Sequence, residues 1–293
     1  MVIAIYGNRI EKNHVESIKL LLNEFTKRGT QIIVFAPFYK ILENALGYKP
    51  LIKALFQLPA EVKPLANFML SIGGDGTFLE SVSYVEDSRI PVVGINFGRL
   101  GFLAHIQSDD IPSAIEQLYN NDFTVEDRSA LMLTMENNPF SSSPFALNDM
   151  TVQKLGTTMI TINAYIDNEF LCTYWADGLI VSTPTGSTAY SLSVGGPIVS
   201  PNSNSFIISP IAPHHLTVRP LVIPDNSTLT LELSSRDEEI LMSLDSRSMK
   251  VQSNVKISIG KAPFYVGVVR LKGKSFYETL RNKLMWGADS RNH

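Results

Sequence analysis

The pattern of apolar residues changes once along this chain, and that change constrains the fold more than any other feature of the sequence. Over the first 127 residues, short apolar runs alternate with stretches whose apolar residues recur every three or four positions. Alternating strand and helix patterns are typical of a parallel sheet covered by helices on both faces. Residues 39–61 are harder to interpret because prolines interrupt them, and we assign them only as a broken helix.

From residue 128 onward the apolar runs are short, often alternate with polar residues, and are separated by Asn, Ser, Pro, Gly and Asp. This pattern indicates an antiparallel all-β unit. Near the chain end, Phe276, Leu280 and Leu284 return to helical spacing. We therefore expect an α/β domain with a Rossmann-like parallel sheet (1–127), a mostly antiparallel all-β domain (128–272), and a terminal helix (273–293) that packs back on the first domain.

The composition excludes several classes of protein. Apolar residues make up 44% of the 293 residues, enough to fill a core, so global disorder is excluded. The formal net charge of −3 gives no sign of the basic face that nucleic-acid binding needs. The single cysteine cannot form an internal disulfide, and no apolar run approaches the roughly 18 residues of a membrane span. We expect a cytoplasmic protein without a nucleic-acid or membrane partner.

A glycine-rich segment, Gly73-Gly74-Asp75-Gly76-Thr77, lies directly after a predicted strand and before a predicted helix. Glycines let a ligand approach the backbone closely, and the N–H groups at the start of a helix suit phosphate. An acidic residue inside such a loop needs compensation, which a Mg²⁺ ion or a hydroxyl to be deprotonated would supply. When the segment is read alone, a tight turn with Asp75 in solvent explains it equally well.

Two further segments carry residues suited to binding. A second glycine segment, residues 94–102, lies at the carboxyl end of the next predicted strand, where ligands bind in parallel sheets. Its Arg99 could hold a phosphate, although an exposed arginine in a structural loop is the more common case. In the dipeptide Asn148-Asp149, the amide suits an adenine edge and the carboxylate a ribose diol. An Asx turn is the simpler explanation of this dipeptide in isolation.

The segment 176–197 is unusually rich in hydroxyl groups. Eight hydroxyl-bearing residues lie between Ser182 and Ser193, next to small residues that would let a flat ring approach. Tyr190 could stack on such a ring. Ser and Thr often only cap helices, but these are too many for caps alone, so we favour a binding site here.

Taken together, these segments resemble the NAD kinase family, whose enzymes make NADP from NAD. The resemblance covers nearly the whole chain, and its longest signature runs from Asp177 to Ile198. The string Gly-Gly-Asp-Gly-Thr alone would not discriminate, because diacylglycerol-kinase-like and phosphofructokinase-like proteins have similar loops. The resemblance implies a substrate cleft between the two domains, a homo-oligomer (a dimer or tetramer), NAD as substrate, ATP as phosphoryl donor, and Mg²⁺ or another divalent cation.

The resemblance also implies residue roles. Asp75 would be the catalytic proton acceptor for the 2′-hydroxyl of the adenosine ribose. The implied phosphate-binding residues are Gly73, Gly74, Gly76 and Thr77. The implied substrate-binding residues are Asp75, Gly76, Asn148, Asp149, Asp177, Thr188, Ala189, Tyr190, Ser191, Leu192 and Ser193, with weaker expectations for Thr158, Trp175 and Arg247. No residue is assigned as a metal ligand.

The chain departs from the family pattern at four of these positions. Asp149 stands where Glu is usual and is shorter by one methylene, Trp175 stands where some relatives have a basic residue, Arg247 stands where Gln is common, and Thr158 replaces a larger polar group. Two alternatives remain, a lipid or sugar kinase with the same glycine loop and a non-catalytic dinucleotide-binding protein. The hydroxyl-rich segment disfavours the first, and the intact Asp75 disfavours the second.

Overall fold

The computed structural model describes residues 1–98 and 100–286. They form two compact units, of which unit 1 comprises Met1–Asp127 and the chain from Val266 onward, and unit 2 comprises Arg128–Tyr265. Both boundaries fall inside strands, whereas the sequence analysis puts the second one at 272/273. Arg99 and the last part of the expected terminal helix, residues 287–293, lie outside the described residues.

The helices and strands alternate in unit 1 and strands dominate unit 2, as the sequence pattern predicts. The helices are α1 (Val15–Lys27), α2 (Ala36–Leu46), α3 (Pro59–Val62), α4 (Asp75–Val85), α5 (Ile111–Asn120), α6 (Tyr190–Ser193) and α7 (Phe276–Leu284). The strands are β1 (Val2–Gly7), β2 (Gln31–Phe35), β3 (Ala54–Phe56), β4 (Phe68–Ile72), β5 (Val92–Asn96), β6 (Ile106–Gln107), β7 (Phe123–Met135), β8 (Phe145–Ala146), β9 (Asp149–Lys154), β10 (Ile160–Ile166), β11 (Glu169–Ala176), β12 (Gly178–Ser182), β13 (Ser205–Ile211), β14 (Leu221–Pro224), β15 (Leu229–Ser234), β16 (Glu239–Leu244), β17 (Arg247–Gln252) and β18 (Val255–Leu271). None of these described helices is long and apolar enough to cross a membrane.

Unit 1 is built on a parallel sheet in the order β5-β4-β1-β2-β3. Its strands are almost continuously buried, because helices cover both faces of a parallel sheet. The end of β18 joins the sheet beside β5, with Val268 opposite Val92. This pairing explains why the chain belongs to unit 1 from Val266 onward. The carboxyl ends of β4 and β5 lead directly into the two glycine segments.

Residues 39–61 differ from the predicted broken helix. Helix α2 begins before this range and ends at Gly47, which adopts a left-handed conformation with φ of 74°. The chain then forms β3 at the edge of the sheet before the single turn of α3. The strand was missed because a run of three residues is too short to show a period-two pattern.

Unit 2 consists of antiparallel strands packed around one apolar core. One group pairs in the order β14-β13-β12-β9-β16-β17, and another in the order β11-β10-β15-β18. Along β10, Ile160, Ile162 and Ala164 are buried and alternate with half-buried residues, as expected for strands with one face on a core. The expected fold class, an α/β domain followed by an antiparallel β domain, is therefore confirmed.

Candidate active site

The first glycine segment is a strand-to-helix turn whose shape requires glycine. Strand β4 ends at Ile72 and helix α4 begins at Asp75. Gly73 has φ of 150°, and a Cβ atom there would lie 2.5 Å from the Thr77 hydroxyl oxygen. The turn leaves the free N–H groups at the start of α4 at the carboxyl edge of the parallel sheet. Such N–H groups attract anions.

The carboxylate of Asp75 is surrounded by donors. Its Oδ2 accepts the backbone N–H of Phe102 at 2.9 Å, and its Oδ1 accepts those of Leu103 and Ala104 at 3.0 Å each. The Lys283 ammonium group on α7 lies 3.4 Å from Oδ2. Residues 102–104, which we call the holding loop, therefore keep Asp75 in place where the second glycine segment ends. Gly101 of that segment lies so close that a Cβ there would come within 2.1 Å of Oδ1.

A cavity of about 260 Å³ lies beside this turn in unit 1. Its lining residues are Arg9, Glu11, His14, Ile72, Gly73, Gly74, Asn96, Phe97 and Gly98. The sequence analysis did not select Arg9 or His14. They follow β1, which pairs with β4, so their position at the sheet's carboxyl edge depends on the strand order and shows no local signal.

In unit 2, the hydroxyl-rich segment forms a turn that is packed against Asn148. Strand β12 leads into a 3₁₀ turn, Thr185–Thr188, and then into α6. The backbone N–H of Thr183 donates to the Asn148 carbonyl at 2.9 Å. A Cβ at Gly186 would lie 2.0 Å from that same carbonyl oxygen. The structure thus brings together two segments that the sequence analysis selected separately.

Several hydroxyl groups of this segment are structural. Thr183 donates to the Leu147 carbonyl at 2.6 Å, Ser187 bonds the backbone of Val199, and the Ser191 hydroxyl meets that of Ser209 at 3.1 Å. The Ser191 side chain is fully buried. Its side chain therefore has a structural role, although Ser191 is among the expected substrate contacts.

By contrast, Tyr190 is 38% exposed, and it remains a candidate for ring stacking.

Asn148 carries a side-chain oxygen that suits a ligand. Its Oδ1 is buried, and among the described residues no donor bonds to it. A buried acceptor left without a donor is costly, so such atoms commonly mark a place for a ligand or water. From the sequence we expect an adenine edge at this amide, and an acceptor without a donor suits the adenine amino group.

Asp149 forms a buried acidic pair with Asp245. Burial, together with the neighbouring charge of Asp245, raises the pKa of Asp149 to about 7. Burial also raises the pKa of Asp245, but three backbone N–H groups, those of residues 147–149, oppose this by donating to its carboxylate at 2.7–3.2 Å. These bonds favour the charged form of Asp245, so the proton of the pair resides on Asp149.

The weaker expectations fall in two places. Arg247 donates to the backbone carbonyls of Ser143 and Phe145, so it supports the strand that leads to Asn148. Thr158 and Trp175 line one cavity of about 520 Å³ in unit 2. The remaining lining residues of that cavity are Met159, Thr161, His214, Ser234, Ser235 and Arg236.

Asp177, which is expected to contact substrate, forms an ion pair with Lys154 at 2.6 Å.

The described residues contain no group of three or more His, Cys, Asp or Glu side chains that could hold a metal ion. Mg²⁺ commonly binds through one or two carboxylates together with substrate phosphates. The single carboxylate of Asp75, at the N-terminus of α4, fits that mode.

Comparison with known proteins identifies the family. The models of the ATP-NAD kinase N-terminal and C-terminal domains match residues 3–123 and 147–271. The chain belongs to the NAD kinase family. It is 44% identical to the NAD kinase of Christiangramia forsetii and 43% identical to that of Flavobacterium johnsoniae, each over the full length of both chains.

Solved structures of the family share the fold. The crystal structure of yeast NADH kinase complexed with NADH superposes with a TM-score of 0.87 at 22% identity, covering 99% of this chain and 88% of the other. An NAD kinase from Archaeoglobus fulgidus in complex with ATP gives a TM-score of 0.73 at 23% identity, covering 98% of both chains. These matches support the architecture described above. The individual site residues selected from the sequence remain predictions.

Proposed function

We propose that this protein is an NAD kinase, which transfers the γ-phosphoryl group of ATP to the 2′-hydroxyl of the adenosine ribose of NAD and releases NADP and ADP. The observation that carries the proposal is the match of both family domains to nearly the whole chain, with Asp75 in the glycine turn of the first. The relatives at 41–44% identity are all named NAD kinases. Neither a lipid or sugar kinase nor a non-catalytic binding protein is supported by any of these matches.

Positioning and charge neutralisation supply most of the catalysis in phosphoryl transfer. We assign the backbone of Gly73, Gly74 and Gly76, with Thr77, to the phosphates, because the start of α4 offers free N–H groups there. Asp75 orients the 2′-hydroxyl and accepts its proton as the oxygen–phosphorus bond forms. Its fixed orientation, held by the N–H groups of residues 102–104, supports this role.

A divalent cation, Mg²⁺ in the simplest case, completes the proposal. When bound, it neutralises negative charge on the phosphates of ATP. Asp75 is the side chain that would hold it, together with the substrate phosphates. The same carboxylate thus has two candidate roles, as a proton acceptor and as a metal ligand.

We assign NAD recognition to unit 2. Asn148 offers its buried oxygen to the adenine amino group, and the carboxyl group of Asp149 contacts the adenosine ribose. The turn and helix after β12 line the adenine and ribose pocket through Thr188, Ala189, Tyr190, Leu192 and Ser193, with the backbone of Ser191. Asp177 contacts the nicotinamide half of the molecule.

We also propose that the protein is a cytoplasmic homo-oligomer, a dimer or a tetramer. Support for self-association comes from β14, which stands at one edge of its sheet and exposes 37% of Leu221 and 46% of Val222. Apolar side chains on a strand edge favour pairing with another chain. No described helix is suited to crossing a membrane, and nothing in the charge balance suggests nucleic acid as a partner.

The test is an assay of NADP formation from ATP, Mg²⁺ and NAD with the purified protein. The wild type should form NADP, and Asp75→Asn should lower kcat about 10²- to 10⁴-fold, the range expected when a proton acceptor is removed. The KM for NAD should change less than about threefold, because unit 2 supplies the binding contacts. Near-normal turnover of Asp75→Asn would remove Asp75 from the chemistry. Absence of NADP with the wild type would overturn the proposed function itself.

A further inference from the structure

The terminal helix α7 brings a lysine to the carboxylate of Asp75. Lys283 lies 208 residues further along the chain, yet its Nζ is 3.4 Å from Asp75 Oδ2. Both residues belong to unit 1. Neither side chain is deeply buried, with 35% of Lys283 and 28% of Asp75 exposed. The contact therefore lies where a substrate can reach it.

The position of Lys283 is fixed by more than this ion pair. Its ammonium group also lies 4.8 Å above the centre of the Phe102 ring, a distance at which a cation is attracted to an aromatic face. The backbone N–H of Phe102 donates to the same Oδ2 that Lys283 approaches. One residue of the holding loop thus contacts both partners of the ion pair.

Helix α7 is itself anchored on that loop. The ring of Phe276, at the start of the helix, lies 6.1 Å from the ring of Phe102. Leu280 is 3% exposed, and the Ser275 side chain caps the helix by accepting the N–H of Glu278 at 3.1 Å. An anchored helix holds the lysine stem on the side of Asp75.

The donors around Asp75 differ in how readily they can be replaced. A carboxylate offers about four lone-pair positions, and three are taken by backbone N–H groups that cannot leave unless the loop moves. Among the described residues, Lys283 is the fourth and most distant donor, and its side chain has several rotatable bonds. The place of Lys283 on Oδ2 is therefore the one that an incoming hydroxyl can share or take.

We propose that Lys283 is a positioning residue for phosphoryl transfer, acting through Asp75. It shares Oδ2 with the acceptor hydroxyl and holds a positive charge beside the reacting groups. The inference rests on the proposed function, because it assigns Lys283 to the step in which Asp75 accepts the hydroxyl proton.

The test compares three single variants in the NADP-forming assay. Lys283→Met keeps the length of the stem and removes the charge, and it should lower kcat about 10- to 100-fold while the KM for NAD changes less than about threefold. Lys283→Arg should restore most of the rate, because the cation returns. Arg281→Met removes an exposed cation from the same helix and should leave kcat unchanged. Thermal unfolding should show that all three variants remain folded.

A double variant tests whether Lys283 acts through Asp75. If it does, Asp75→Asn combined with Lys283→Met should be no slower than Asp75→Asn alone, because the second change removes nothing further. The proposal is overturned if Lys283→Met keeps kcat within twofold of the wild type, if it raises only the KM for ATP, or if the two effects multiply. If the wild type itself forms no NADP, the proposed function fails and this role of Lys283 fails with it.

Discussion

At the scale of single residues, two aspartates show how surroundings assign different chemistry to the same side chain. Asp75 is partly exposed and is surrounded by N–H and ammonium donors, which suits a charged group that meets substrate. Asp149 is 6% exposed and lies beside a second acid. Its pKa of about 7 means that it carries a proton below neutral pH. The first aspartate is suited to orienting a hydroxyl of the substrate, and the second to donating a hydrogen bond.

The acidic pair predicts a pH-dependent stability. The folded protein holds the Asp149 proton up to a pH of about 7, whereas the unfolded chain releases it near the ordinary value of 3.8. Protonation therefore stabilises the fold below pH 4, and that contribution is lost as the pH rises from about 4 to about 7. Asp149→Asn, which needs no proton, should be more stable than the wild type at pH 8, by on the order of 1 kcal/mol or more.

Chemical unfolding at pH 5 and pH 8 without substrates would measure this effect. The wild type should lose more stability than Asp149→Asn between the two values. Asp177→Asn is a suitable control, because Asp177 forms an ion pair with Lys154 and is only half-buried. Equal losses in the wild type and Asp149→Asn would show that Asp149 does not carry the proton.

At the scale of elements, the turn after β12 and the start of β9 form one packed arrangement. The backbone of residues 183–186 lies against Asn148, while the carboxylate of Asp245 accepts the N–H groups of residues 147–149 from the other side. Asn148 is thus fixed between two loops. These bonds fix the backbone of Asn148, and a fixed backbone limits where its buried side-chain oxygen can lie.

Gly186→Ala tests that arrangement. The new Cβ would lie 2.0 Å from the Asn148 carbonyl oxygen, so the two backbones must separate. We expect a loss of about 1–3 kcal/mol in the free energy of unfolding and at least a tenfold weaker affinity for NAD. Calorimetry of NAD binding and denaturant unfolding would measure both quantities. Gly260→Ala in β18, where no atom lies within 4 Å of the new Cβ, should change neither, and an unaffected Gly186→Ala would contradict the described packing.

At the scale of the whole molecule, the chain leaves the α/β unit once and returns to it. Strand β18 starts among the antiparallel strands of unit 2, and its end pairs with β5 in unit 1. The return places α7 in unit 1, where Lys283 meets Asp75. A residue near the chain end thereby reaches the turn after β4. The proposed chemistry of unit 1 therefore depends on the last part of the described chain.

Self-association is the prediction that belongs to this scale. Light scattering should give a mass of at least twice the 32.5 kDa of the chain. Val222→Lys adds a charge to an exposed apolar position of the edge strand β14 and should lower that mass. Gln252→Lys adds the same charge to β17, at the opposite edge of the sheet, and should leave it unchanged. A wild type that runs as a single chain would contradict the proposed oligomer.

The fold class, the family and the segments that carry the candidate site could all be predicted from the amino-acid sequence. Periodicity reports which face of a helix or strand is buried, so the change near residue 128 was sufficient to separate the α/β part from the β part. The glycine turn could be located because its requirements are local. A positive φ and a close approach to Thr77 arise within five consecutive residues.

The surroundings of each selected residue became known only from the three-dimensional fold. The described donors on Asp75 come from the loop at 102–104 and from α7, and the partner of Asp149 is nearly a hundred residues away in sequence. In the fold, the Ser191 hydroxyl is buried against that of Ser209, and Arg9 and His14 lie beside the glycine turn. Hydrogen bonds, burial and charge coupling depend on distance in space, and chain folding sets that distance in ways that local spacing does not record.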